Sequence, residues 1–278
     1  MENSIPTMMR KVTEKWDKMK EIRPLVHHIT NFVAMPEQAH VTLAIGASPV
    51  MAPAPEESSQ MCSNADVLLL NIGTPSEEQL KAMILAQNAA NKKGIPVLLD
   101  PVGYGATEFR NEVVNKILNN GSVSVIKGNY GEIAALAGIM GAIKGVDAVK
   151  AEESGLKSDF YFNLKSLSRK YKTIVIATGE EDLITDYESE RSAGVSGGNS
   201  LLTYITGSGC WLGSIIASVL AVGEDLFTCC ITGLIALKLA SEKVKENKIG
   251  SFREELFNEL FTLKGEDIAE RGDMLRWT

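Results

Sequence analysis

The feature that most constrains this chain is a recurrence. Short, unbroken apolar runs alternate with longer segments that carry a single apolar stripe. The runs are ASPVM (47–51), DVLLLNIG (66–73), PVLLDPV (96–102), SVSVIKG (122–128) and TIVIATG (173–179). A strand with one face in water would alternate apolar and polar residues. Strands apolar throughout must be covered on both faces, which predicts a parallel sheet with helices above and below it. The striped segments supply those helices: Ser76–Lys93 opens on Ser76-Glu77-Glu78, a capped start, and stops before Gly94. The segment DLITDYESERSAGVSGG (182–198) reads as two strands around a polar turn, an antiparallel hairpin at one edge. Beyond Gly207 the pattern is helical, through 225–247 and 251–264. No repeat, linker or break in composition interrupts it. The expected fold is therefore α/β, a doubly wound, mostly parallel sheet flanked by helices, as a single domain over residues 1–278.

Charge and composition exclude several classes. A net charge of −7 argues against a nucleic-acid partner, which calls for a basic face. The first 25 residues mix charges of both signs without an apolar run, unlike a signal peptide. The apolar stretch Trp211–Val222 is far shorter than the ~20 residues that span a bilayer, so no membrane partner is expected. Cys62, Cys210, Cys229 and Cys230 have neither CxxC spacing nor histidine partners, which disfavours zinc and suits a reducing cytoplasm.

Ligands of such sheets bind beyond the carboxyl ends of the strands. Those ends are polar and glycine-rich here: Asn71-Ile72-Gly73-Thr74, Asp100-Pro101-Val102-Gly103, Lys127-Gly128-Asn129 and Thr178-Gly179-Glu180. Gly207-Ser208-Gly209-Cys210 enters a helix, where free N–H groups and the helix dipole hold phosphate; close helix–sheet packing asks for the same small residues. No Walker A loop occurs, so backbone would have to do most of the holding. Asp100 ends a strand with no other charge and suits Mg²⁺, or else caps the turn before Pro101. Glu132, one helical turn beyond Asn129, is either a second metal ligand or a capping-box partner. Lys127 at an apolar strand end reads as a mobile cation for phosphate, and Thr178 as a phosphate-side hydroxyl. His27, His28 and His40 read as hydrogen-bonding or surface histidines rather than metal ligands. The prolines of SPVMAPAPEE suggest a loop over a pocket, with Met51 either a soft surface for a flat ring or a core residue.

Together PLVHHITN (24–31), AIGASPVMAPAPEE (44–57), NIGT (71–74), LLDPVGYGATEFR (98–110), IKGNYGEIAALAG (126–138), ATGEEDLITD (177–186) and TGSGC (206–210) resemble hydroxyethylthiazole kinase, of the ribokinase-like superfamily. The resemblance runs in order from Pro24 to Val222. It implies transfer of the γ-phosphoryl group of ATP, with Mg²⁺, to the alcohol of 4-methyl-5-(2-hydroxyethyl)thiazole in thiamine salvage. It also implies a homotrimer with the thiazole pocket at subunit contacts. By the same resemblance Met51 and Gly207 contact the thiazole, Lys127 and Thr178 contact ATP, and Asp100 and Glu132 lie near magnesium. Cys210 takes the place of the catalytic aspartate of related sugar and vitamin kinases. The chain departs from the family at His28, Pro36 and His40, where asparagines are usual, and at Lys127, where arginine is common.

Overall fold

The computed structural model describes residues 4–139 and 154–278. Among the described residues nine strands form one sheet: β1 (Leu25–Ile29), β2 (Ser48–Met51), β3 (Val67–Asn71), β4 (Val97–Asp100), β5 (Val125–Asn129), β6 (Ile174–Thr178), β7 (Asp182–Thr185), β8 (Ser192–Val195) and β9 (Leu275–Trp277). Their order across the sheet is β2-β1-β3-β4-β5-β6-β7-β8-β9. Pairing is parallel from β2 to β6 and antiparallel from β6 to β9.

Helices cover both faces, as the unbroken apolar runs require. They are α1 (Ile5–Ile22), α2 (Met35–Ala44), α3 (Pro55–Asn64), α4 (Glu77–Lys93), α5 (Glu108–Asn120), α6 (Tyr130–Leu136), α7 (Ser154–Tyr171), α8 (Ser208–Leu220), α9 (Leu226–Lys243), α10 (Ile249–Thr262) and α11 (Gly265–Ala269). Two separate cores result, one per face. Val67, Leu69, Leu98, Val125 and Ile176 point toward α8 and α9, while Leu68, Leu70, Leu99, Ile126 and Val175 point toward α4 and α5. The caps are local chemistry: Ser76, Thr107, Asn129 and Asp225 each accept a backbone N–H three residues on, at the starts of α4, α5, α6 and α9.

The five apolar runs and the hairpin are strands within a few residues of their expected bounds. Three features differ. PLVHHITN contains β1, a central strand hidden from a pattern reading by His27 and His28, both fully buried. The hairpin β7–β8 is not the sheet edge, because β9 pairs outside it through Ala193, Gly194 and Val195. That strand also interrupts the helical C-terminal region. The proline-rich run is a loop only over Ala52–Ala54, since Ser48–Met51 forms β2 and Pro55 begins α3, where its fixed φ and missing N–H suit a helix's first turn.

Candidate active site

Strand parity assembles the site. Side chains alternate across a strand, so Asn71, Asp100 and Lys127 share the face of Leu69, Leu98 and Val125, against α8. The parallel register brings them to one rim: Asn71 lies opposite Asp100, and Asn129 opposite Thr178. The start of α8 descends onto that rim. Gly213 of α8 lies directly over Asp100 and Leu69, within ordinary van der Waals reach.

At the centre is a buried ion pair. Lys127 Nζ lies 3.0 Å from Asp100 Oδ2, with the side chains 3% and 2% exposed. The same ammonium donates to the Gly209 carbonyl at 2.9 Å. Lys127 is thus a fixed cation rather than a mobile one, because a buried ammonium needs partners for its protons. Burial pushes the Asp100 carboxyl above its ordinary value, and Lys127 and Asn71 pull only part of that back. For Lys127, burial alone would lower the value, but Asp100 and the nearby Cys210 and Glu132 hold it above ordinary.

Cys210 stands one turn into the rim, with its sulfur 3.3 Å from Asn71 Nδ2 and 3.4 Å from Asn31 Nδ2. Burial raises its thiol, the Asp100 charge adds to that, and Lys127 and the two amides offset part of it. The resting side chain is a thiol. Gly207, the N-cap of α8, has φ +86°, a left-handed conformation that glycine adopts without strain. No side chain caps this helix start, unlike those of α4, α5, α6 and α9.

Glu132 completes a capping box, accepting from Asn129 N at 2.8 Å, and its other oxygen accepts from Gly103 N at 2.8 Å. Burial raises its carboxyl, with Asp100 adding repulsion. Thr178 donates to the Gly128 carbonyl at 3.2 Å. Met51, half-buried, ends β2 opposite His28 at the far end of the rim, away from the central cluster. His27 Nε2 donates to the Ala52 carbonyl at 3.0 Å, tethering the residue after Met51. His28 bonds Ser214 on α8 at 3.1 Å, whereas Pro36 and His40 lie exposed on α2.

The sequence assigned no individual role to Asn31, Asn71 or Gln38. Gln38 Nε2 donates to the Cys210 carbonyl at 3.1 Å and to Ser214 Oγ at 3.1 Å. Asn71 was visible as a polar strand end; nothing local marks Asn31 or Gln38.

The Asp100 carboxyl, paired with Lys127, and the nearby Glu132 carboxyl are oxygen groups of the kind a divalent cation takes, while among the described residues no cluster of three or more His, Cys, Asp or Glu side chains forms a full protein cage. Magnesium keeps several waters and takes few protein ligands. The oxygens of Glu132 already hold backbone N–H groups, so it fits a magnesium ion best through water.

A sequence profile of the Hydroxyethylthiazole kinase family matches residues 16–266. The hydroxyethylthiazole kinase of Caldivirga maquilingensis is 44% identical over 256 residues, 91% of this chain and 92% of that one. A solved structure of hydroxyethylthiazole kinase protein from Pyrococcus horikoshii is 35% identical, with a TM-score of 0.82 over 97% of this chain and 99% of that one. A ribokinase-like superfamily protein from Enterococcus faecalis, 13% identical, superposes with a TM-score of 0.58 over 87% of this chain and 88% of that one, and shares the fold. Among the described residues no helix is long and apolar enough to cross a membrane. With its fold, its rim and these likenesses in agreement, the chain belongs to the hydroxyethylthiazole kinase family.

Proposed function

We propose that this chain transfers the γ-phosphoryl group of ATP to the alcohol of hydroxyethylthiazole, with Mg²⁺, in the cytoplasm and in the service of thiamine salvage. The observation that carries it is the convergence of Asp100, Lys127 and Cys210 beneath an uncapped glycine turn at the start of α8. Phosphoryl transfer passes through a loose transition state, in which positioning and charge stabilisation lower the barrier more than base strength does. A thiol suffices there.

The residues take the following roles. Met51 and Gly207 hold the thiazole, and Cys210, a thiol, orients its hydroxyl, whose proton leaves late to an oxygen of the transferred phosphoryl group. Lys127 and Thr178 serve the phosphate side, Lys127 also keeping Asp100 ionised. Asp100 directly and Glu132 through water hold magnesium, which when bound offsets charge on the phosphates. We also infer a homotrimer. Strand β2 is an edge strand in the single chain, and beside it Phe32 is 72%, Val33 60% and Leu43 57% exposed. A light-scattering mass near the 30.1 kDa of one chain would rule the trimer out.

The activity test is ADP release from Mg-ATP with hydroxyethylthiazole, against hydroxymethylpyrimidine as the rival alcohol. Cys210→Ala is expected to lose roughly 10- to 10³-fold in kcat, at or below the usual range for a general base. No ADP release with the thiazole would refute the substrate, and an unchanged Cys210→Ala would reduce Cys210 to a space-filler.

A further inference from the structure

Two carboxamides, distant in sequence, meet on the Cys210 sulfur. Asn31, 4% exposed, follows β1, and Asn71, fully buried, ends β3. Their orientation is not free. The Asn71 oxygen accepts from Gly73 N at 3.0 Å and the Asn31 oxygen accepts from Ala34 N at 2.9 Å. Backbone N–H groups only donate, so each carboxamide must turn its NH₂ inward.

The four protons of those NH₂ groups are then all assigned. Asn71 Nδ2 donates to Asp100 Oδ2 at 3.0 Å and to Cys210 Sγ at 3.3 Å. Asn31 Nδ2 donates to Asn71 Oδ1 at 2.8 Å and to the same sulfur at 3.4 Å. Asn71 Oδ1 thus accepts twice and has no lone pair left for an S–H. The sulfur is an acceptor on its inner side, and its proton or third lone pair must point outward, to the partly open rim. The approach is tight by design of the backbone: a Cβ on Gly73 would lie 2.8–2.9 Å from Asn31 side-chain atoms.

We infer that Asn31 and Asn71 are positioning residues that lock the Cys210 sulfur, so that its one free direction faces the acceptor alcohol. This rests on the role proposed for Cys210. Asn71 also touches Asp100, so Asn31, which reaches the sulfur but not the carboxylate, separates the two effects.

The test is a double-mutant cycle on kcat and on both KM values. The variants are Asn31→Ala, the shape-keeping Asn31→Leu, Cys210→Ala and the two doubles, with melting temperatures to confirm folding. Loss of a hydrogen bond to the sulfur predicts a kcat drop of about 5- to 30-fold in Asn31→Ala, with both KM values within about twofold. Adding either Asn31 change to Cys210→Ala should then move kcat by less than about twofold, because its target is already gone. An equal drop in both backgrounds would overturn the inference and make Asn31 a support of the fold or of Asp100. An undiminished Asn31→Ala beside an impaired Cys210→Ala would overturn it too. If Cys210→Ala itself keeps full activity, the reading of Cys210 fails and this inference falls with it.

Discussion

Replacing Lys127 with methionine keeps an unbranched side chain one atom shorter and removes its charge and its N–H donors. What remains is Asp100, 2% exposed, with Asn71 as its neighbouring donor, and a Gly209 carbonyl that has lost the ammonium. Removing one partner of a buried pair costs about 3–5 kcal/mol, because the other charge stays buried without compensation. At roughly 2–4 °C per kcal/mol for a chain of this size, the melting temperature should fall by roughly 6–20 °C. The deficit should also depend on pH. Burial already raises Asp100 above its ordinary value, and losing Lys127 raises it further. A carboxyl raised in the folded state binds its proton more tightly there than in the unfolded chain. Its contribution is therefore complete below the unfolded value near ~3.9 and is lost as pH climbs through the folded one. The gap between variant and wild type, measured by thermal or urea unfolding, should widen as pH rises above the unfolded value of ~3.9. The pair Asp100→Asn with Lys127→Met should recover much of the stability but not the activity. A Lys127→Met protein within about 2 °C of wild type, or a gap that stays flat with pH, would refute the reasoning.

Burial lowers His28 to about 4, so the folded protein keeps it neutral while the unfolded chain takes up a proton below about 6.5. Wild type should then lose roughly 3 kcal/mol between about pH 6.5 and 4 that His28→Asn does not, a difference readable in acid unfolding curves. Gly207→Ala would force a side chain into φ +86° with its Cβ 3.0 Å from Ala34 Cβ. It should destabilise by about 1–3 kcal/mol in urea titration and raise the KM for the thiazole. Lys238 on α9 pairs with buried Asp182 at 3.3 Å and donates to the carbonyls of Glu180 and Gly197 at 3.2 Å each. Lys238→Met should cost about 3–5 kcal/mol, and a near-neutral result would show that the pair is not compensated as drawn. Glu132→Gln keeps one acceptor where two backbone N–H groups are held. Its kcat should fall severalfold at limiting magnesium and recover as magnesium rises; no magnesium dependence would remove Glu132 from the metal site.

The local chemistry of this chain determined a great deal. Unbroken apolar runs could only be strands covered on both faces, and polar, glycine-rich endings on successive runs marked one rim. Asp100, Lys127 and Gly207–Cys210 stood out because a charge or a glycine turn at the end of an apolar element has few other uses. Strand β1 did not stand out, since His27 and His28 look polar until Ala52, Val26 and Ser214 supply their hydrogen bonds. The partnerships were decided by tertiary structure alone. Asn31 reaches Asn71 across 40 positions and Cys210 across 179, and Asn71 reaches Asp100 across 29. Those contacts exist because β1, β3 and β4 are neighbours in the sheet and α8 closes over them. A carboxamide or an ammonium carries no trace in its own neighbourhood of which distant group will satisfy it. The need to satisfy it once buried is physical and general, but the partner is a property of the assembled sheet.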